Sequence, residues 1–315
     1  MTLTQLEKLQ FRSTDEYSLE SRVGNTPLIQ IRNLASDLAP GVRVFAKAEW
    51  FNPGGSIKDR PALSIIRTAI EQGKLPPGRR LLDSTSGNMG IAYATFGAAM
   101  DIPITLCVPA NASPERISML KALGAELIVT DPSAGSDGAI RAARKLAEAR
   151  PDLYWYANQY DNPANWQAHY LTTGPEILAQ TDGEVTHLVA GLGTSGTMMG
   201  TGRYLREQLP DVKIIAVQPD DAFHGLEGLK HMQTAIKPQI YEASFADRVL
   251  EVRTEEAHDM VRSLGRREGL FVGISSGAAM VAALRVASEL KSGVVVTVFP
   301  DAGYKYLSDR ALWEG

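Results

Sequence analysis

Residues 52–60 read N-P-G-G-S-I-K-D-R, so Lys58 stands behind two glycines and a serine. A lysine near a helix start feels the positive end of the dipole, and partial burial disfavours its charge further; both lower its pKa. That is how an amine becomes nucleophilic enough to form a Schiff base with a carbonyl. Three further glycine-rich loops carry polar side chains. G191-L-G-T-S-G-T197 holds three glycines and three hydroxyls in seven residues. Successive backbone N–H groups at a helix N-terminus form an anion site, and Thr194, Ser195 and Thr197 add hydroxyl donors, so this loop reads as a phosphate cup. In D83-S-T-S-G-N-M-G90, Thr85, Ser86 and Asn88, with amides freed by Gly87, suit a carboxylate and a ring hydroxyl, although Ser, Asn and Gly also form ordinary turns. G273-I-S-S-G277 opens a helix, where Ser275 or Ser276 is either a ligand group or a plain N-cap.

Other chemistries find less support. Gly191, Gly193 and Gly196 satisfy G-x-G-x-x-G, but a dinucleotide site wants an acid at the end of the next strand. That strand ends A-V-Q-P, with Gln218 in the acid's place and Asp220 and Asp221 beyond a proline. A loop dense in hydroxyls also suits a terminal phosphate monoester better than a pyrophosphate. The nucleotide-hydrolysing loop, with glycine directly before lysine and Ser or Thr after it, is absent. His169, His187 and His258 are isolated, and His224 and His231 are seven apart in a loop, a spacing that argues against a zinc site. The single cysteine, Cys107, lies in the apolar run I-T-L-C-V-P and reads as a buried strand residue. A net charge of −4 argues against nucleic acid or an anionic membrane as partner. The opening M-T-L-T-Q-L-E-K-L-Q is mixed rather than basic-then-apolar, so no secretory leader is expected, and no apolar run approaches the roughly 18 residues of a membrane helix. A soluble cytoplasmic protein is the expectation.

The elements that must position these loops alternate. Runs such as V-R-V-F-A-K-A, I-T-L-C-V-P, A-E-L-I-V-T-D, T-H-L-V-A-G, V-K-I-I-A-V and G-V-V-V-T-V-F-P are separated by helix-length segments. Strands apolar on both faces and alternating with helices imply parallel sheets covered on both sides. At 315 residues the chain is about two domains long. The expected fold is therefore α/β with two doubly wound parallel-sheet units and a boundary near 150–152. Ser113-Pro114-Glu115 marks one helix start, and Gly124 its end. Thr254-Glu255-Glu256 marks another start. Ser56 is a candidate cap for the helix after Lys58 with Asp59 as its box partner, while Pro61 belongs in a first turn. The strand-poor stretch 219–245 reads as a long loop over a site. Ligands of such sheets bind at the carboxyl ends of the strands, which is where the four loops fall.

Taken in order, G24-N-T-P-L, N52-P-G-G-S-I-K-D-R, T85-S-G-N, N158-Q-Y-D-N-P-A-N, T172-T-G-P-E-I, G191-L-G-T-S-G-T and G273-I-S-S-G resemble the cysteine synthase family of fold-type II pyridoxal-phosphate enzymes, with a tryptophan synthase β-like fold. The likeness spans residues 20 to 308 and is strongest to the cysteine synthase B branch. It implies a smaller mobile substrate-side domain at 35–150, and a larger domain, 1–34 plus 151–315, that binds the cofactor phosphate. It implies that Lys58 tethers pyridoxal phosphate and moves the α-proton, that Gly193, Thr194, Ser195, Gly196 and Thr197 cup the phosphate, that Asn88 bonds the pyridine hydroxyl and Ser275 the pyridine nitrogen. A hydroxyl partner at that nitrogen makes a weaker electron sink, which suits β-elimination and replacement. Thr85, Ser86, Gly87 and Gln159 are implied around the substrate carboxylate. Met89 departs from the family's threonine and puts the substrate, rather than the cofactor, in question. Lys230, in the long loop, is a candidate for an anionic leaving group or sulfur donor. The implied reaction is β-replacement on O-acetylserine or O-phosphoserine by a sulfur nucleophile, in a homodimer without a metal. A cystathionine synthase, a diaminopropionate-forming enzyme and a serine/threonine deaminase are the neighbouring readings, and a dinucleotide-dependent oxidoreductase is the distant one.

Overall fold

The computed structural model describes residues 16–85 and 87–314. Its elements run β1 (Leu28–Ile31), β2 (Gly41–Ala48), α1 (Asp59–Glu71), β3 (Arg80–Ser84), α2 (Asn88–Ala99), β4 (Ile104–Pro109), α3 (Pro114–Ala122), β5 (Glu126–Thr130), α4 (Gly135–Ala149) and β6 (Tyr154–Tyr156). They continue with α5 (Pro163–Leu171), α6 (Thr173–Gln180), β7 (Val185–Gly191), α7 (Gly196–Gln208), β8 (Lys213–Pro219), β9 (Arg248–Val252), α8 (Thr254–Ser263), α9 (Ile274–Ser288), β10 (Ser292–Phe299) and α10 (Arg310–Trp313). Two sheets result. One has four strands in the order β5-β4-β3-β6, and the other has six in the order β1-β2-β10-β7-β8-β9. Every pairing is parallel except β1 with β2, an antiparallel edge.

The larger sheet is covered on both faces because its central strands carry apolar residues on both sides. Val295 and Phe299 of β10 pack with Val44, Val189 and Ile215 on one side. Val294 and Val296 pack with Leu188, Ala190, Ile214 and Ala216 on the other. That alternation within continuous apolar runs is the signature of a doubly covered parallel sheet. The four-stranded sheet has its own cores, one around Leu81, Leu106 and Phe96 and a second that includes Leu82 and Cys107. Cys107 is buried in β4, and burial pushes its thiol up to about 11. β2 joins the six-stranded sheet although it falls within 35–150, and β6, at 154–156, joins the four-stranded one. Among the described residues no helix is long and apolar enough to cross a membrane.

Helix starts follow local chemistry. The Ser113 hydroxyl accepts from Arg116 N, with Pro114 in the first helical position, and Gly124 takes φ +80° just past the end. At α8 the expected cap is displaced by one residue. Arg253 is the N-cap, its N–H donates to Glu256 Oε2 at 3.1 Å, and the Thr254 hydroxyl instead accepts from Gly225 N in the long loop. At α1 the expected Ser56–Asp59 box does not form. Helical residues begin at Asp59, which leaves Pro61 harmlessly in the first turn. Ser56 Oγ accepts from Lys58 N at 3.3 Å, and Asp59 turns back to accept from Gly54 N at 2.5 Å.

Candidate functional site

The carboxyl ends of both sheets face one cleft. Loops leaving β2, β7 and β10 supply Lys58, the 193–197 segment and Pro300. Loops leaving β3 and β6 supply Thr85 and Gln159, the first turn of α3 after β4 supplies Arg116, and these line the same cavity. Lys58 is the N-cap residue of α1 and is half-buried. Burial pulls its amine below the ordinary lysine value, against the opposing pull of the Asp301 and Glu49 carboxylates. The residue therefore sits toward the neutral, nucleophilic form. Just before it, Gly55 takes φ +75°, and a Cβ there would stand 2.2 Å from the Tyr304 hydroxyl oxygen, so a side chain is excluded both by backbone and by space.

Two residues past Lys58, Arg60, itself fully buried, anchors the helix start in a largely buried ion network. Its guanidinium donates to Glu49 from Nε and Nη2, both at 2.8 Å, and to Glu176 from Nη1 at 2.6 Å and Nη2 at 2.8 Å. Lys47 completes it, 2.6 Å from Glu176 Oε2. Such a network is intolerant of losing any one member, and it holds β2, α1 and α6 together directly beneath the lysine.

The hydroxyl-rich loop becomes the N-terminus of α7. Ser195 takes φ +68°, unusual for a residue with a side chain, and its hydroxyl is buried without a protein partner. Its neighbours are engaged. Thr194 Oγ1 accepts from Asn165 Nδ2 at 3.1 Å and Gly196 N at 3.3 Å, and Thr197 Oγ1 lies 3.4 Å from His169 Nε2. A Cβ on Gly193 would meet Gly228 O at 2.4 Å, and one on Gly196 would meet Asn165 Oδ1 at 1.9 Å. Burial, then the charges of Arg60 and Lys58, hold the His169 imidazole well below its usual range and hence neutral. The result is a cradle of backbone N–H groups, a free hydroxyl and a helix dipole aimed at one point.

On the opposite wall, Thr85 Oγ1 accepts from Gly87 N at 3.0 Å and Gly90 N at 3.1 Å, capping α2 from outside the helix. Gly87 packs under the Arg116 side chain, and Met89, the first-turn residue expected to alter this loop, is buried and faces the cavity. Ser86 lies outside the described residues. Gln159 Nε2 donates to Ser84 O at 2.7 Å, and its backbone N–H donates to Asp83, whose carboxyl burial pushes up to about 7. Ser275 lines the cavity in the first turn of α9 but is not its cap; that position belongs to Gly273. Asn88 lines it too, with its amide engaged by Asp301 and Lys305.

The stretch 219–245 crosses the mouth as a strap. Glu227 pairs with Arg116. Lys230, far from being a solvated loop lysine, is buried, lies 3.0 Å from Asp137 of α4, and stands 5.0 Å from the centre of the Tyr160 ring. Sequence reasoning missed Arg116, Tyr160, Glu227, Asp301, Lys305 and Tyr306. Asp301 alone carried a usable signal, since it lies two residues beyond the carboxyl end of an apolar strand. The others are polar residues of helices and loops that only the tertiary fold brings here.

A family described as pyridoxal-phosphate dependent enzymes matches residues 19–301. The chain is 50% identical to a cysteine synthase of Aquifex aeolicus over 91% of its own length and 89% of that protein. It is 43% identical to a cysteine synthase B of Pseudomonas aeruginosa, over 91% of this chain and 94% of the relative. Among solved structures, the cysteine synthase of Entamoeba histolytica superposes with a TM-score of 0.90 at 36% identity, covering 96% of this chain and 92% of the other.

Proposed function

Because the chain belongs to the cysteine synthase family of pyridoxal-phosphate dependent enzymes, we propose that it performs β-replacement on an O-activated L-serine, with a sulfur nucleophile, to give L-cysteine or an S-substituted cysteine. One observation carries the reading: a lysine held toward its neutral form and a hydroxyl-lined helix N-terminus share a single cavity. The residues present fit the cofactor. The buried, unpartnered Ser195 hydroxyl at the N-terminus of α7 is what a bound phosphate requires. In this reading Gly193 to Thr197 hold the phosphate, Asn88 and Ser275 the polar atoms of the ring, and Lys58 the carbonyl carbon. When bound, pyridoxal phosphate supplies an electron sink for charge developing at the substrate's α-carbon.

The chain's own groups do the rest. Lys58 is the amine placed to take the α-proton. Thr85, Gly87 and Gln159 surround the substrate carboxylate, and Met89 closes that wall with an apolar side chain where a hydroxyl is expected. Lys230 and Arg116 are the cations at the mouth, each paired with an acid that an incoming anion would replace. This arrangement favours O-phosphoserine, or an anionic sulfur donor, over a neutral activating group. The four-stranded unit is in this reading the mobile, substrate-side part. The working form is a cytoplasmic homodimer, an expectation carried by family membership alone.

The test is turnover of O-acetylserine and O-phosphoserine by the protein loaded with pyridoxal phosphate, with sulfide as nucleophile. Cysteine from either substrate supports the assignment, whereas release of pyruvate without cysteine overturns it. Lys230→Ala should lower the ratio of O-phosphoserine to O-acetylserine turnover by about tenfold, the worth of a charge-assisted hydrogen bond. An unchanged ratio removes Lys230 from leaving-group recognition.

A further inference from the structure

The reaction outlined above makes no use of a buried cation that lies behind the Lys58 loop. Lys305 sits in the short turn Gly303–Tyr306 and is wholly buried. Its ammonium donates to Gly54 O at 3.3 Å, Gly55 O at 2.9 Å and Asn88 Oδ1 at 2.9 Å. An ammonium has three donors and no acceptor, so these partners saturate it. The three acceptors come from both halves of the molecule. Gly54 and Gly55 belong to the loop that leaves β2 of the six-stranded sheet, and Asn88 opens the helix after β3 of the four-stranded one.

The same contacts fix the Asn88 amide. Its Nδ2 donates to Asp301 Oδ2 at 2.7 Å, and Tyr306 O–H donates to that same oxygen at 2.9 Å. With a donor-only ammonium on one side and an acceptor on the other, the amide has one allowed orientation, Oδ1 toward Lys305 and Nδ2 toward Asp301. The second Nδ2 hydrogen is then left for the cavity that Asn88 lines. Asp59 supports the arrangement from below. It holds Gly54 N at 2.5 Å, and burial pushes its carboxyl up to about 7 even though the Lys305 charge pulls the other way.

We propose that Lys305 is a positioning residue: it ties the backbone just before Lys58 to the amide of Asn88, and so sets how those two groups face each other across the cleft. The inference rests on the reading that Lys58 and Asn88 both hold the cofactor. If it is right, losing the ammonium moves the two loops relative to each other without touching the phosphate cradle, which is built on α7. A misplacement of order 1 Å at a reacting centre lowers turnover by about a hundredfold.

The experiment compares wild type, K305M and K305R, each loaded with pyridoxal phosphate. Far-UV circular dichroism reports folding, equilibrium dialysis reports cofactor binding, and visible absorbance reports the environment of the bound cofactor. K305M should keep the cofactor but shift its visible absorbance. Its kcat should fall about tenfold to a hundredfold, with KM for the amino-acid substrate little changed. K305R, which keeps the charge and adds donors, should restore the spectrum and most of kcat. If K305M does not fold, K305Q takes its place. Its amide still donates to the glycine carbonyls but can also accept, so it no longer fixes Asn88, and the same spectral shift is expected. A folded K305M or K305Q with the wild-type spectrum and kcat overturns the inference, even where its melting temperature has dropped. Absence of β-replacement in the wild type would instead defeat the functional reading, while the spectral comparison still decides the role of Lys305.

Discussion

Removing the Glu49 carboxylate takes one acceptor from each of four buried donor groups, Thr26 O–H, Asn52 Nδ2, and Arg60 Nε and Nη2, of which Asn52 Nδ2 keeps Glu49 O and Arg60 Nη2 keeps Glu176. Both Glu49 and Arg60 are fully enclosed, at 0% side-chain exposure, so bulk water does not reach the vacated place. A buried donor left unmade costs about 1–3 kcal/mol, and breaking a buried ion pair about 3–5 kcal/mol. Arg60 retains Glu176 as a counter-charge, which argues for the low end of the first range at each group. Glu49→Ala should therefore destabilise the fold by about 4 kcal/mol. Urea unfolding followed by tryptophan fluorescence reads this directly, since Trp50 is the next residue along. Adding Arg60→Met to the same chain should return about 1–2 kcal/mol, because the stranded cation leaves while Glu176 keeps Lys47. A loss below about 1 kcal/mol for Glu49→Ala, or a double variant as unstable as the sum of its singles, would refute the account of a tightly coupled network under Lys58.

Lys58→Ala should lower turnover by at least about a hundredfold and abolish the visible absorbance of the lysine-bound cofactor; turnover and spectrum both at wild-type level would exclude Lys58 from the chemistry. Gly193→Ala places a Cβ 2.4 Å from the backbone carbonyl oxygen of Gly228. Its expected outcome is weakened pyridoxal-phosphate binding by equilibrium dialysis with secondary structure intact, and an unchanged affinity would contradict the cradle. Acid should loosen the fold through Glu176. Burial raises its carboxyl, but the hydrogen bonds and charges of Arg60 and Lys47 outweigh that and hold it at about 2, below the ordinary 4.5. A depressed acid stabilises above its ordinary value, so up to about 3 kcal/mol should disappear as the pH falls from 4.5 to 2. Glu176→Gln should flatten denaturation midpoints over that window, and a slope as steep as wild type would discount this carboxylate.

The parts legible in the sequence were those fixed by local chemistry. Continuous apolar runs such as 104–109 and 292–299 became parallel strands, and the clustered glycines and hydroxyls of 191–197 became the start of α7. Short strands were not legible. Leu28–Ile31 and Arg248–Val252 lie at the edges of the larger sheet, with too little burial to impose an apolar pattern, and Tyr154–Tyr156 has only three residues. The division of the chain between sheets was hidden as well, because β2 pairs with β10 across about two hundred and fifty residues and no local pattern announces so distant a partner. At the site, Lys58 and the cradle stood out by spacing, whereas Arg116 and Lys305 look like ordinary helix and turn cations until the fold encloses them. The α8 cap was misplaced by one residue for a related reason. The Thr254 hydroxyl was claimed by Gly225 of the strap, a tertiary partner that outcompetes the local one.

Cys107, closed inside β4 with its thiol pushed up to about 11, bears on the company such an enzyme keeps. A catalyst that releases a thiol amino acid works beside sulfide, free cysteine and cystine, all partners in exchange with any accessible thiolate. The chain's single sulfhydryl is neither ionised at neutral pH nor reachable, so it offers no point for a mixed disulfide with the product. The molecule can pass reactive sulfur through its cleft without being modified by it, and a thiol reagent such as dithionitrobenzoate should titrate the unfolded chain but not the native one.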